Sequence, residues 1–398
     1  MAVANHIGAL AEVRHGSRFS PEFEMLIDCC TGPRPSTLPG ALASSIDWEL
    51  LLDSAEHHRL VPALFLALAS QSRIAIPRAI RDRARLHGWR SLQFTTELRR
   101  ISRHLEERRI PFLAYKGPVL GQLLYRDPTA RQFGDLDLLV VPSDVSRAKS
   151  ALLELGYQLK LQLPARHEKS YLGSGYEYAF CLNSERPTVE LQWRIAPMFY
   201  SVDFDLDAFF NRSIEIDLDG MGLRTLCHED LMLALCVHAA KHEWSQLGMT
   251  RDIMRLASLD LDWKWITEEA SRLGIFKILQ VSFSIGRKIL GRDMPRPVPI
   301  SDSGHSVHEL ATSVVNHLAC NREPNTDSVS YFMAQLRTRE RRRDRIRFLW
   351  RLATTPGVGE WDTLKNSTSW SGFYRLVRVA RLLKRIVAQM RMLTQTQP

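Results

Sequence analysis

Asp135-Leu136-Asp137 opens a short apolar run, residues 136–141 (LDLLVV), that Pro142 closes. Such a run reads as a buried strand. On a strand the side chains at i and i+2 share a face, with Cα atoms about 6.5–7 Å apart. Two carboxylates so placed repel one another and ionise together only at a cost, unless cations lie between them. Phosphoryl-transfer sites use such a pair to hold two divalent ions about 3.5–4 Å apart. D-x-D alone is a weak pattern that surface loops also produce, so its surroundings decide. Downstream, Glu190 sits in the apolar string Val189-Glu190-Leu191, where a lone Glu is expensive. Upstream, Lys116-Gly117-Pro118 places glycine at a turn and proline at a first helical position, ahead of a helical pattern over residues 119–125. Backbone amides at a helix N-terminus favour phosphate, and Arg131 lies between that helix and the acidic pair. The candidate catalytic and metal-ligating residues are therefore Asp135, Asp137 and Glu190. Lys116, Gly117 and Arg131 are the candidate nucleotide-binding residues.

Other signals carry two readings each. His238 and His242 are four apart in a helical run, so they share a face as a metal pair would; two histidines hydrogen-bonded at an interface have the same spacing. Asp252 suits a structural ion pair with Arg251, Arg255 or the two histidines. His57-His58-Arg59 follows an acidic helical run and fits the cation preference of a helix C-terminus. Asp217, Asp219 and Gly220 lack the remaining ligands of a calcium loop and read as a hairpin turn. The run 339–347 (RERRRDRIR) suits RNA, or a solvated helix with Phe348-Leu349-Trp350 as its buried face.

These residues need elements to position them. The pattern is helical over 46–68, with Pro62 starting or kinking a second helix, and over 78–108. Short strands follow at 110–114, 136–141, 176–182 and 188–193, the last two joined by a turn at 183–186. A helix capped by Ser143 or Asp144 runs to about Gly156, and a hairpin spans 214–226. From His228 onward the pattern is helical, broken by the Pro-rich stretch 294–300 (MPRPVPI).

Composition narrows the class. The chain has 398 residues, 45% hydrophobic and 24% charged, as in an ordinary globular protein. No apolar run reaches the roughly 20 residues that span a bilayer, and the first residues lack a signal-peptide core; the expectation is a cytoplasmic protein with no membrane partner. Six scattered cysteines form no C-x-x-C pair and predict reduced thiols. The net charge is +9, yet Arg337 to Arg391 holds 15 Lys/Arg against 4 Asp/Glu, so the basicity belongs to the C-terminal segment. That block suits RNA or another polyanion, and equally a set of solvated Arg-rich faces.

The residue string itself resembles a known family. Lys116-Gly117-Pro118, Leu124-Tyr125, Asp127-Pro128, Arg131 and Asp135-Leu136-Asp137-Leu138-Leu139-Val140 are similar to the bacterial uncharacterised nucleotidyltransferase family, of the DNA-polymerase-β-like superfamily. The likeness continues at Ile46-Asp47-Trp48, at His57-His58-Arg59 and at Val189-Glu190-Leu191-Gln192-Trp193-Arg194. It recurs at His238 to Trp244 with Asp252, and more weakly at Trp361 and Phe373-Tyr374-Arg375-Leu376. It covers roughly residues 20–275 well. The wider superfamily opens its site with Gly-Ser; here, as in this family, Lys116-Gly117 stands there, so a lysine charge replaces a serine hydroxyl. Position 192 is often His in the family and is Gln192 here. The resemblance implies a substrate cleft lined by Gln192, Lys241 and His242.

The fold expected is α+β. A minimal nucleotidyltransferase unit with a mixed sheet, residues 105–226, lies between an N-terminal helical segment, 1–104, and a C-terminal helical domain, 227–398. The activity implied is transfer of a nucleoside monophosphate from an NTP to an acceptor hydroxyl on a small molecule, peptide or protein, with two Mg2+ ions as cofactors. Two further readings stay open: a nucleic-acid- or partner-binding protein with a regulatory or vestigial nucleotide site, and a transferase acting on RNA.

Overall fold

The computed structural model describes residues 19–31, 46–71, 75–182, 187–291, 304–322, 325, 328–357 and 361. The expected turn at 183–186, the Pro-rich stretch 294–300, the string at 373–376 and most of the basic tail lie outside the described residues.

Helices α1 (Pro21–Thr31), α2 (Trp48–His57) and α3 (Val61–Ala69) come first among the described residues. Asp47 starts α2 by accepting the amides of Glu49 and Leu50 at 3.0 and 3.1 Å, and Pro62 sits in the first turn of α3, where its missing N–H costs nothing. The pattern over 78–108 forms one 30-residue helix, α4 (Arg78–Glu107).

The α/β unit follows as β1 (Leu113–Ala114), α5 (Gly117–Tyr125), β2 (Asp135–Leu139), α6 (Val145–Glu154), β3 (Gln158–Leu159), α7 (Ala165–Ser174), β4 (Glu177–Cys181) and β5 (Thr188–Gln192). The sheet order is β1-β2-β5-β4-β3, with β2 and β5 parallel and the other pairs antiparallel. No side-chain cap opens α6; Asp144 is instead held by Arg147 at 2.6 Å. A hairpin, β6 (Ile214–Asp217) and β7 (Gly222–Thr225), turns at Asp219 and Gly220, both at positive φ, as a two-residue type I′ loop requires. Between the sheet and the hairpin lies α8 (Leu206–Arg212). Beyond come α9 (His228–Lys241), α10 (Leu247–Leu256), α11 (Trp263–Leu273), α12 (Phe276–Leu290), α13 (His305–Ala319), α14 (Val329–Arg337) and α15 (Arg342–Thr354). The fold is α+β, as the sequence predicts.

Strand parity separates two faces of the sheet. Leu136, Leu138, Val189, Leu191, Tyr178 and Phe180 point into one core, closed by Phe94, Leu98, Ile101 and Leu105 of α4. Removing this apolar surface from water, at about 25 cal/mol per Å², fixes the register, because a one-residue slip would turn every one of these side chains outward. The opposite parity carries Asp135, Asp137, Glu190, Gln192 and Glu177. A second core joins α1–α3 to α9–α13, through residues such as Leu26, Leu64, Leu233 and Phe283. No described helix is long and apolar enough to cross a membrane.

The Arg-rich run is not a uniform solvated face. Arg339 is buried, its guanidinium 4.3 Å from the Tyr200 ring centroid and 5.3 Å from that of Phe348. Arg347 and Arg351 both grip Asp203, Arg351 at 2.8 and 2.9 Å. Of the expected buried trio only Phe348 is buried; Leu349 and Trp350 are exposed.

Candidate active site

The pairing of β2 with β5 sets Asp137 directly beside Glu190 and Leu139 beside Gln192. Gln192 is the hub. Its Nε2 donates to Asp137 Oδ1 at 2.9 Å and to Glu190 Oε2 at 3.0 Å, while its Oε1 accepts the Tyr115 hydroxyl at 2.6 Å. An amide flipped the other way would put oxygen against two carboxylates, so the donor end is fixed by its partners. Lys116 Nζ lies 2.5 Å from the same Asp137 Oδ1, and both side chains are nearly inaccessible. Gly117, at φ +57, opens α5 against the strand; a Cβ there would sit 3.2 Å from the Asp135 carbonyl oxygen. Both facts favour glycine.

Charge is crowded on this face. Burial raises the Asp137 carboxyl to about 7, Asp135 and Glu190 push the same way, and Lys116 opposes them. Burial also raises Glu190 to about 7, helped by Glu177 and Asp135 and opposed by Lys116 and Lys241. For Lys116 burial works against the charge, but the Asp137 carboxylate beside it wins and holds the ammonium above its ordinary range. Asp137 Oδ2 is buried with no hydrogen-bond partner. Among the described residues no group of three or more His, Cys, Asp or Glu side chains is arranged to hold a metal ion.

Glu177 is a carboxylate that the sequence reasoning missed. It pairs with Gln192 across β4 and β5 and so joins the same row. Its Oε2 is buried without a partner. Burial raises its carboxyl, with Lys241 of α9 as the main opposing charge. The Lys241 ammonium lies 5.3 Å from the Tyr176 ring centroid, and burial lowers it more than Glu177 and Glu190 raise it.

A cleft of about 200 Å³ lies beside this row, between the α/β unit and α9–α10. It is lined by Lys116, Arg131 and Asp135 on one side and by His238 and His242 on the other, and Arg59 and Arg251 also line it. The two imidazoles stand 4.8 Å apart. Burial and Lys116 hold His238 well below the ordinary histidine range, and burial with Lys241 takes His242 to about 3. Both are neutral at pH 7. Asp252 pairs with none of the partners expected from its neighbourhood: it takes Arg131 Nε at 2.7 Å and the Tyr125 hydroxyl at 2.7 Å. His58 is no cation either, since burial lowers it to about 3.

With this geometry in view, the chain can be placed among known proteins. The family model described as an uncharacterised nucleotidyltransferase matches residues 44–291, more than half the chain. The chain belongs to that family. General nucleotidyl transfer, with an NTP as the implied donor, follows from that membership. No match is found among curated proteins or among solved structures. The matched span runs from before α2 through α12 of this nucleotidyltransferase and so includes both walls of the cleft.

Proposed function

We propose that this nucleotidyltransferase moves a nucleoside monophosphate from an NTP to an acceptor hydroxyl, as a member of the DNA-polymerase-β-like superfamily. The carrying observation is the Asp137–Glu190 pair, adjacent across β2 and β5, with Asp137 Oδ2 buried and unpartnered. The donor set is entirely carboxylate oxygen, which suits a hard cation such as Mg2+. Asp135, Asp137 and Glu190 would hold two such ions. When bound they supply charge neutralisation of the triphosphate and a lower pKa for the acceptor hydroxyl. Lys116 is the cation Asp137 holds in this structure, and it competes with a metal for that carboxylate.

The residues around the pair divide the remaining work. Lys116, the Gly117 amide and Arg131 hold the β- and γ-phosphates. Glu190, raised toward neutrality, takes the acceptor proton. The acceptor oxygen bonds to the α-phosphorus as the bond from that phosphorus to the β-phosphate oxygen breaks, and pyrophosphate leaves in line. Gln192, Lys241 and His242 border the acceptor. The unit 105–226 acts as the catalytic domain between helical segments 1–104 and 227–398. All six cysteines are free thiols, which supports a cytoplasmic setting. A small molecule, peptide or protein is the acceptor class we favour.

The test incubates purified protein and magnesium with each α-phosphate-labelled NTP and a cell extract, then follows the label. Label in a new product with release of pyrophosphate supports the reading. Binding of NTP with no transfer to any component would favour a regulatory site instead.

A further inference from the structure

Four cationic side chains line or border the cleft: Arg59, Lys116, Arg131 and Arg251. Three are engaged within the protein. Lys116 holds Asp137 at 2.5 Å and Arg131 holds Asp252 at 2.7 Å. Arg251 lies 4.2 Å from the Tyr125 ring centroid and donates to the Ala130 carbonyl at 3.3 Å. The Arg59 guanidinium has no ion pair or hydrogen bond among the described residues. It is exposed, and its Nη1 stands 3.5 Å from where a Cβ on Gly134 would sit. Gly134 immediately precedes Asp135.

The backbone beneath Arg59 is strained in a way that suits glycine. Arg59 forms the corner between α2 and α3 at φ +60, the left-handed region that side-chain-bearing residues avoid. The corner is held from several sides. The Leu60 N–H donates to the Ala55 carbonyl at 2.8 Å, and the Gly248 N–H donates to the His58 carbonyl at 3.0 Å. A Cβ on Gly248 would lie 2.9 Å from that carbonyl and 3.2 Å from Arg59 Cβ. The start of α10 thus pins the corner, and the arginine it presents lacks a partner among the described residues. Strain of this kind collects where a residue serves a ligand.

Resting on the nucleotidyl-transfer reading above, we propose that Arg59 is a phosphate-binding residue that meets the outer phosphates of the NTP and the departing pyrophosphate. The segregation of charge points to the outer end. Four cations line the cleft with Asp135 and Asp252, the latter held by Arg131, whereas Asp137 and Glu190 lie outside its lining. An α-phosphorus near the carboxylate row therefore leaves the β- and γ-phosphates among the cations. A guanidinium presents two parallel N–H groups to phosphate oxygens, which a lysine cannot do.

The test is calorimetric titration of wild type, Arg59→Gly and Arg59→Lys with a magnesium-bound non-hydrolysable triphosphate and with the nucleoside monophosphate, alongside their melting temperatures. Arg59→Gly removes the guanidinium and relaxes the corner, so its melting temperature stays level or rises. Its triphosphate affinity falls about tenfold to a hundredfold, its monophosphate affinity does not change, and Arg59→Lys falls between. Wild-type triphosphate affinity in Arg59→Gly overturns the inference alone and leaves nucleotidyl transfer standing. Equal losses for both ligands, or a lowered melting temperature with the lost affinity, overturn it in favour of a structural corner. A wild type that binds no triphosphate defeats the underlying reading and the inference with it.

Discussion

Asp137 and Glu190 are side-by-side partners on parallel strands, and one nitrogen, Nε2 of Gln192, donates to both at 2.9 and 3.0 Å. A buried and a half-buried carboxylate are thereby kept within reach of a single donor, with Lys116 as the nearest full positive charge. An arrangement this crowded stores repulsion that a bound cation relieves.

Asp137→Asn keeps the side-chain shape and removes a negative charge. If Asp137 holds a metal, turnover falls by about 10²-fold or more. Lys116 also loses its ion-pair partner, so the variant melts lower than wild type. Normal transfer by this variant would remove Asp137 from the mechanism.

Glu190→Gln tests the repulsion directly. The Glu190 carboxyl is raised from 4.5 to about 7 in the folded protein. The folded state then keeps a proton that the unfolded chain releases. The contribution is nil below about 4.5, turns unfavourable as pH rises toward about 7, and is fully unfavourable above it. Metal-free Glu190→Gln is therefore expected to melt about 2–4 °C above wild type near pH 8 and level with it near pH 4, and with magnesium present the variant loses transfer activity. A lower melting temperature than wild type at the higher pH contradicts the account.

Gln192→Leu leaves the buried Tyr115 hydroxyl without its acceptor and both carboxylates without their shared donor. Loss of the hydroxyl's partner alone costs about 1–3 kcal/mol. Gln192→His retains one ring nitrogen to donate and one to accept. The leucine variant should lose both stability and turnover, and the histidine variant should keep turnover within about tenfold of wild type. Equal activity in the two variants would deny the amide a positioning role.

Lys116→Ala separates donor binding from stability. Wild type should melt higher with triphosphate plus magnesium than with either alone, because a ligand that binds only the folded state stabilises it. The alanine variant should lose most of that added shift. An undiminished shift would take Lys116 out of phosphate binding.

Much of this site was legible because its strands are two-faced. Leu136 and Leu138 on β2, with Val189 and Leu191 on β5, announce a buried face, and their alternation with acids gives away the other. Lys116-Gly117-Pro118 was legible because glycine and proline have few reasons to stand together. Glu177 was not, since Glu177 to Cys181 alternates like any half-exposed strand and only its register with Gln192 brings the acid into the row. Arg131 and Asp252 are 121 positions apart, beyond any local pattern. Arg59 looked like a local helix-end cation because the close approach of Gly248 is a property of the packing. Helix α7 escaped notice because it buries little beyond His167 and Tyr171.

The most direct test of the central claim compares two labels on one NTP. Wild type and Asp137→Asn are incubated with magnesium, a cell extract and NTP labelled at either the α- or the γ-phosphate. The account predicts that wild type transfers only the α-label to an acceptor and releases the γ-label in pyrophosphate, and that Asp137→Asn transfers the α-label about 10²-fold or more slowly. Transfer of the γ-label to the acceptor, or equal α-transfer by both proteins, would contradict it.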